Sequence, residues 1–175
     1  MEKERLVVLQ AEIKAQIQEI EGIYTRIEDR IKWGTDLNLS HTRIEDRKRK
    51  KDKAAMESVG YQLHNLYCAF EDLFKIVAET FENHIQDKSK YHQELLKRMA
   101  ISIEGVRPRL LSQECFLLLD NLRSFRHLFR HAYSYELDER KLKIVLEDAF
   151  TLRRIYPTDV NVFLNSFEKG GTAPD

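Results

Sequence analysis

Arg126-His127-Leu128-Phe129-Arg130-His131 packs two arginines and two histidines into one short run, with Arg123 just before it and Tyr133 just after. These residue types suit phosphate chemistry. An arginine presents a rigid fork of donors that matches phosphate oxygens. A histidine gives or takes a proton near neutrality. Together they suffice to cleave RNA without a metal. One histidine removes the ribose 2′-OH proton, an arginine stabilises the charge building on phosphorus, and an acid protonates the leaving 5′-oxygen.

The elements that must position these groups follow from spacing. On a helix advancing about 100° per residue, Leu118, Leu122, Phe125, Leu128, Phe129 and Ala132 occupy an arc of about 120°. Arg123, Arg126, His127, Arg130, His131 and Tyr133 occupy a separate arc of about 160°. One face is expected to be core, the other a dense cationic surface. Five helical steps set Arg126 and His131 about 140° apart on a regular helix. Either the helix frays near His131, or two copies of the chain supply a composite site.

An Arg/His-rich helix face taken alone is more often a solvated surface than a site. His127 and His131 have the i, i+4 spacing of zinc ligands, yet no glutamate follows His127 and no third ligand stands nearby. No metal is therefore expected, and no cofactor. Asp120, one turn before Arg123, reads as a surface i, i+3 pair. The basic run Arg47 to Lys53 lacks interleaved aromatic residues for base stacking and reads as a solvated segment. His64, His84 and His92 stand isolated along the chain and read as structural or surface residues.

Composition bounds the rest. The 175 residues hold 29 Lys plus Arg against 29 Asp plus Glu, so no bulk field marks a nucleic-acid or membrane binder. Recognition of an anion must come from local clustering. Six glycines and three prolines leave little turn material for a β-protein. Cys68 and Cys115 each sit in an apolar run, which predicts buried reduced thiols rather than a disulfide framework. No apolar stretch approaches a membrane span of about 18 residues, and no signal peptide opens the chain. The expected compartment is the cytoplasm.

Apolar residues recur at helical spacing from about Lys3 to Trp33, with Gly34 as a stop. A second helix is predicted from about Thr42 to Asn83, charged at first and apolar from Met56 onward. A short helix carries Tyr91, Leu95, Leu96 and Met99. Ser112 then caps the helix bearing the Arg/His run, and Asp138 caps the last one, which Pro157 is expected to kink or interrupt. Thr25-Arg26-Ile27-Glu28-Asp29-Arg30 recurs as Thr42-Arg43-Ile44-Glu45-Asp46-Arg47, a short match between similar helical surfaces. The expected fold is all-α, an up-and-down four-helix bundle with a long N-terminal helical hairpin and additional short helices. One domain over 1–167 and a disordered tail over 168–175 complete the reading.

Arg126, four intervening residues, His131, and Tyr133 two positions later form a pattern that resembles the HepT-like branch of the HEPN superfamily. A polar residue, His127, follows the arginine as it commonly does there. Arg107-Pro108-Arg109-Leu110-Leu111-Ser112, Phe125-Arg126-His127 and Tyr135-Glu136-Leu137-Asp138 are similar to the same branch. So are Tyr67-Cys68-Ala69-Phe70-Glu71-Asp72-Leu73-Phe74 and His92-Gln93-Glu94-Leu95-Leu96, so that the likeness extends over about residues 57–157. The resemblance implies a helical homodimer whose two motifs face each other. It implies metal-independent RNA cleavage by a toxin, with Arg126 on the phosphate and His131 as general acid/base. His127, Arg130 and Arg123 would support RNA binding. It also implies a nucleotidyltransferase antitoxin of the MNT type, which can transfer AMP onto the motif tyrosine, here Tyr133. The alternative is a non-catalytic HEPN subunit that binds such a partner.

Overall fold

The computed structural model describes residues 3–35, 44–82, 91–131 and 138–169. Among them run five helices: α1 (Lys3–Thr35), α2 (Ile44–Phe81), α3 (Tyr91–Met99), α4 (Gln113–His131) and α5 (Glu139–Lys169). The expected all-α fold is present. Thr35, expected in a loop, and Glu168 and Lys169, expected in the tail over 168–175, are helical instead, because α1 and α5 run on to Thr35 and Lys169. The rest of that loop, the predicted helix end at Asn83 and the tail from Gly170 lie outside the described residues.

The helices form because apolar side chains recur at their period and find one another. Leu9, Ile13, Ile20, Tyr24 and Ile27 of α1 are buried against Leu63, Leu66, Phe70, Leu73 and Val77 of α2. Polar pairs along this seam run in opposite order on the two helices. Arg5 donates to the carbonyl of Thr80 at 3.2 Å, Gln16 to that of Ala69 at 2.8 Å, and Arg26 to Gln62 at 3.4 Å. The two helices are therefore antiparallel. The same reasoning orients the others. Tyr24 of α1 donates to the carbonyl of Ala149 on α5, and Arg153 of α5 reaches back to Glu21 and Glu28. Phe70 and Phe81 of α2 meet Tyr156 and Phe163 of α5 edge to face. α2 thus lies at the centre, touching every other helix. The four long helices alternate up and down around it.

Local chemistry sets the ends. The hydroxyl of Ser112 accepts from the backbone N–H of Cys115 at 3.3 Å, and the Asp138 carboxylate accepts from that of Arg140 at 2.9 Å. Both predicted caps are in place. Between α3 and α4 the chain makes a tight turn in which Ile103 and Arg107 bridge. Gly105 turns it with φ of 74°, a conformation open to glycine at no steric cost.

The expectation for Pro157 needs correction. Pro157 does not interrupt the last helix, which continues unbroken from Glu139 to Lys169 around it. Proline removes the bond its own N–H would make to the preceding turn, and its ring crowds the carbonyl four residues before it. Here Leu152, Tyr156, Val160 and Phe163 stay buried on both sides of it, so tertiary packing holds the helix together. No helix among the described residues is long and apolar enough to cross a membrane.

The turn between α3 and α4 is held by a closed polar node. Arg107, whose side chain is fully buried, pairs with Glu82 at the end of α2 through two of its nitrogens. Its remaining donors go to the carbonyls of Arg98, Ile101 and Pro108. Arg98 of α3 takes the second Glu82 oxygen at 2.5 Å. A buried charge is tolerable only when it is satisfied in this way.

Candidate functional site

The site is built where α4 crosses α2, with α3 closing one side. Phe125 is buried and Phe129 half-buried in the α4 core face, which turns the neighbouring Arg126 toward α2. There its guanidinium lies over the Tyr67 ring, 5.7 Å from the centroid, and 4.0 Å from Oε2 of Glu71. Glu71 is the unexpected member. Its side chain is only 5% exposed, and it sits one turn after Tyr67 in the buried stripe of α2. The other Glu71 oxygen, Oε1, is held by Nδ1 of His92 from α3. One buried carboxylate therefore faces an arginine and a histidine from two other helices.

Arg126 is not saturated by these contacts. Its Nε is buried without a hydrogen-bond partner among the described residues, and its approach to Glu71 is too long for a direct hydrogen bond. A guanidinium held by a ring and a carboxylate is of the type that matches phosphate oxygens.

Exposure varies along the α4 cationic face. Arg126 is 12% exposed and Arg123, paired with Asp120, 23%; Arg130 and His127 are exposed. Arg123 donates to Asp120 at 2.8 Å, the i, i+3 pair expected from spacing. Leu128 departs from the expectation. Placed with the core arc by periodicity, it is 58% exposed. It falls at the edge of that arc, on the stripe shared with the similarly exposed Leu117, where none of the described helices covers it.

Two histidines set aside in the sequence belong to this neighbourhood. His92 is the Glu71 partner just described. His64 of α2 lies between the rings of Tyr61 and Phe129, and its Nε2 is 3.8 Å from Sγ of Cys68. Burial, reinforced by the guanidinium groups of Arg126 and Arg130, holds its imidazole below the ordinary range. Cys68 itself is half-buried, less enclosed than predicted. Cys115 is buried as expected, and burial together with Asp159 pushes its thiol up to about 12. Burial likewise raises the Tyr67 hydroxyl, which donates to the backbone carbonyl of His92 at 3.5 Å. Among the described residues no three His, Cys, Asp or Glu side chains gather closely enough to hold a metal ion.

His131 is the last residue of α4, and its side chain lies outside the described residues, as does the whole of Tyr133. The profile of the HepT-like protein family matches residues 58–167, which take in every described residue of the cluster. The chain belongs to the HepT-like family. That places it in the HEPN superfamily, as the Arg126–His131–Tyr133 pattern implied. No curated protein and no solved structure matches it. The HepT-like match begins after the charged start of α2 and leaves out α1 entirely.

Sequence reasoning found Arg126 and missed Glu71, Tyr67, His64 and His92. The signal for Glu71 was present. A carboxylate between Phe70 and Phe74, on a stripe otherwise apolar, must find a cation when the stripe is buried.

Proposed function

We propose that this HepT-like protein is a metal-independent endoribonuclease, the toxin of a toxin–antitoxin pair. The observation that supports it is Arg126, held against Tyr67 and Glu71 with its Nε unpartnered among the described residues, on a helix whose neighbouring Arg123, His127 and Arg130 extend the same cationic face. Arg126 binds the scissile phosphate and stabilises the charge that develops there. His131 acts as general acid/base. His127, Arg130 and Arg123 guide the flanking backbone. The working unit is a homodimer, for which Leu117 and Leu128 offer exposed apolar surface beside the cationic face. An MNT-type nucleotidyltransferase antitoxin neutralises the protein by transferring AMP to Tyr133. The added phosphate charge would occupy the ground that Arg126 keeps for RNA.

The test is cleavage of total RNA in EDTA by the wild type and by His131→Ala. Cleavage by the wild type alone is expected, with helicity and dimerisation unchanged in the variant. Equal cleavage by both removes His131 from the mechanism. Silence from an unadenylylated wild type, checked by intact mass, leaves the chain as a non-catalytic subunit that binds the nucleotidyltransferase.

A further inference from the structure

A reaction that begins with removal of the 2′-OH proton and ends with protonation of the 5′-oxygen needs a base and an acid. The Arg126-to-His131 motif contains one histidine beyond His127, and His131 stands about 140° from Arg126 on a regular helix. The cluster around Glu71 holds another. His92 directs Nδ1 at Glu71 Oε1 while Arg126 lies against Oε2, so imidazole and guanidinium are neighbours on one carboxylate. The carboxylate is sealed, but the His92 side chain is 43% exposed. An ionised carboxylate only accepts hydrogen bonds, so the proton of a neutral His92 sits on Nδ1 and the lone pair on Nε2. Tyr91 packs edge-on against the imidazole, and the Tyr67 hydroxyl holds the backbone carbonyl of the same residue. Charged and titratable groups around it are thus Glu71 and Tyr67 from α2, Tyr91 from α3 and Arg126 from α4.

We propose that His92 is a further catalytic residue of this site, its Nε2 taking the 2′-OH proton while Glu71 fixes its tautomer and Arg126 holds the adjacent phosphate. The inference rests on the ribonuclease reading and deepens it. The 2′-oxygen forms its bond to phosphorus as Nε2 takes the proton. The P–O5′ bond breaks, and protonated His131 delivers its proton to the departing oxygen. The products are a 2′,3′-cyclic phosphate and a 5′-hydroxyl end. Base and acid then come from different helices, and a single His131 at each phosphate is enough.

A purely structural tie between α3 and α2 predicts different behaviour, so the variant must separate the two. His92→Asn keeps a donor where Nδ1 stands and removes the titratable nitrogen. Single-turnover cleavage of an oligoribonucleotide is followed across pH for the wild type, His92→Asn and His131→Ala. A second substrate carries a 4-nitrophenyl leaving group on a ribonucleoside 3′-phosphate and needs no acid. His92→Asn is expected to keep the wild-type melting temperature and to lose about 10²–10⁴-fold in rate. It is also expected to lose the acidic limb of the rate profile. The activated substrate should restore His131→Ala and leave His92→Asn slow. Wild-type rates in His92→Asn beside an inactive His131→Ala would overturn the role of His92 and keep the nuclease. Rescue of His92→Asn by the activated substrate overturns the base assignment. An unadenylylated wild type inactive on both substrates overturns both readings together.

Discussion

Two carboxylates with little side-chain exposure, Glu71 on α2 and Glu82 just past its end, are finished differently. Glu82 meets Arg107 and Arg98 at hydrogen-bond distance, and the donors of Arg107 that Glu82 does not take go to backbone carbonyls. Glu71 holds His92 closely but Arg126 only at 4.0 Å, and Arg126 keeps a buried Nε without a partner among the described residues. The first node is closed and fastens the turn between α3 and α4 to the bundle. The second is open, with one histidine half outside it. A cluster serving stability alone would be expected to satisfy every buried donor, because each one left over costs roughly 1–3 kcal/mol. The open node includes Arg126, which lies on the helix that carries the HepT-like motif.

The largest effect should come from breaking the closed node. Glu82→Gln leaves the Arg107 guanidinium buried without its counter-charge, and stability in urea should fall by about 3–5 kcal/mol. A loss below about 1 kcal/mol would show that the turn is held by the carbonyl contacts alone.

Glu71→Gln sharpens the contrast. Its amide still accepts one hydrogen bond, and the longer contact to Arg126 contributes less, so a stability loss of roughly 1–3 kcal/mol is expected. RNA cleavage should fall by at least about tenfold, because both the tautomer of His92 and the seat of Arg126 depend on that charge. Equal stability costs at Glu71 and Glu82, with cleavage intact at Glu71, would erase the distinction between the nodes.

The smallest expected effect concerns His64, beside the open node. Its folded-state affinity for a proton is below the unfolded value of about 6.5. The stabilising preference for the neutral form is therefore complete above that value. It is lost as pH falls through it, because the unfolded chain takes up the proton first. Wild-type melting temperature should drop between about pH 7.5 and 5.5 more than that of His64→Phe. Parallel profiles for the two proteins would remove His64 from the balance.

Much of the fold was legible in the chain. The stripes Leu9 to Ile27 and Val59 to Val77 announced two long amphipathic helices, and Ser112 and Asp138 announced the starts of two more. Where the reading failed, a neighbour decided. Leu128 sits at the edge of its apolar arc and none of the described helices covers it, whereas Pro157 stays helical because apolar neighbours on both sides are buried. His92 looked isolated because its partner, Glu71, is on another helix.

By itself the sequence determined which segments are helices, which stripes of α1 and α2 turn inward, and that Arg126 and His131 share one helix. These follow from a local period of about 3.6 residues and from caps that bond within a few positions. Only the tertiary structure decided that Glu71 meets Arg126 and His92 while Glu82 meets Arg107 and Arg98. Such pairs depend on the axial register of one helix against another. Side-chain packing across the whole bundle sets that register, and no local period encodes it.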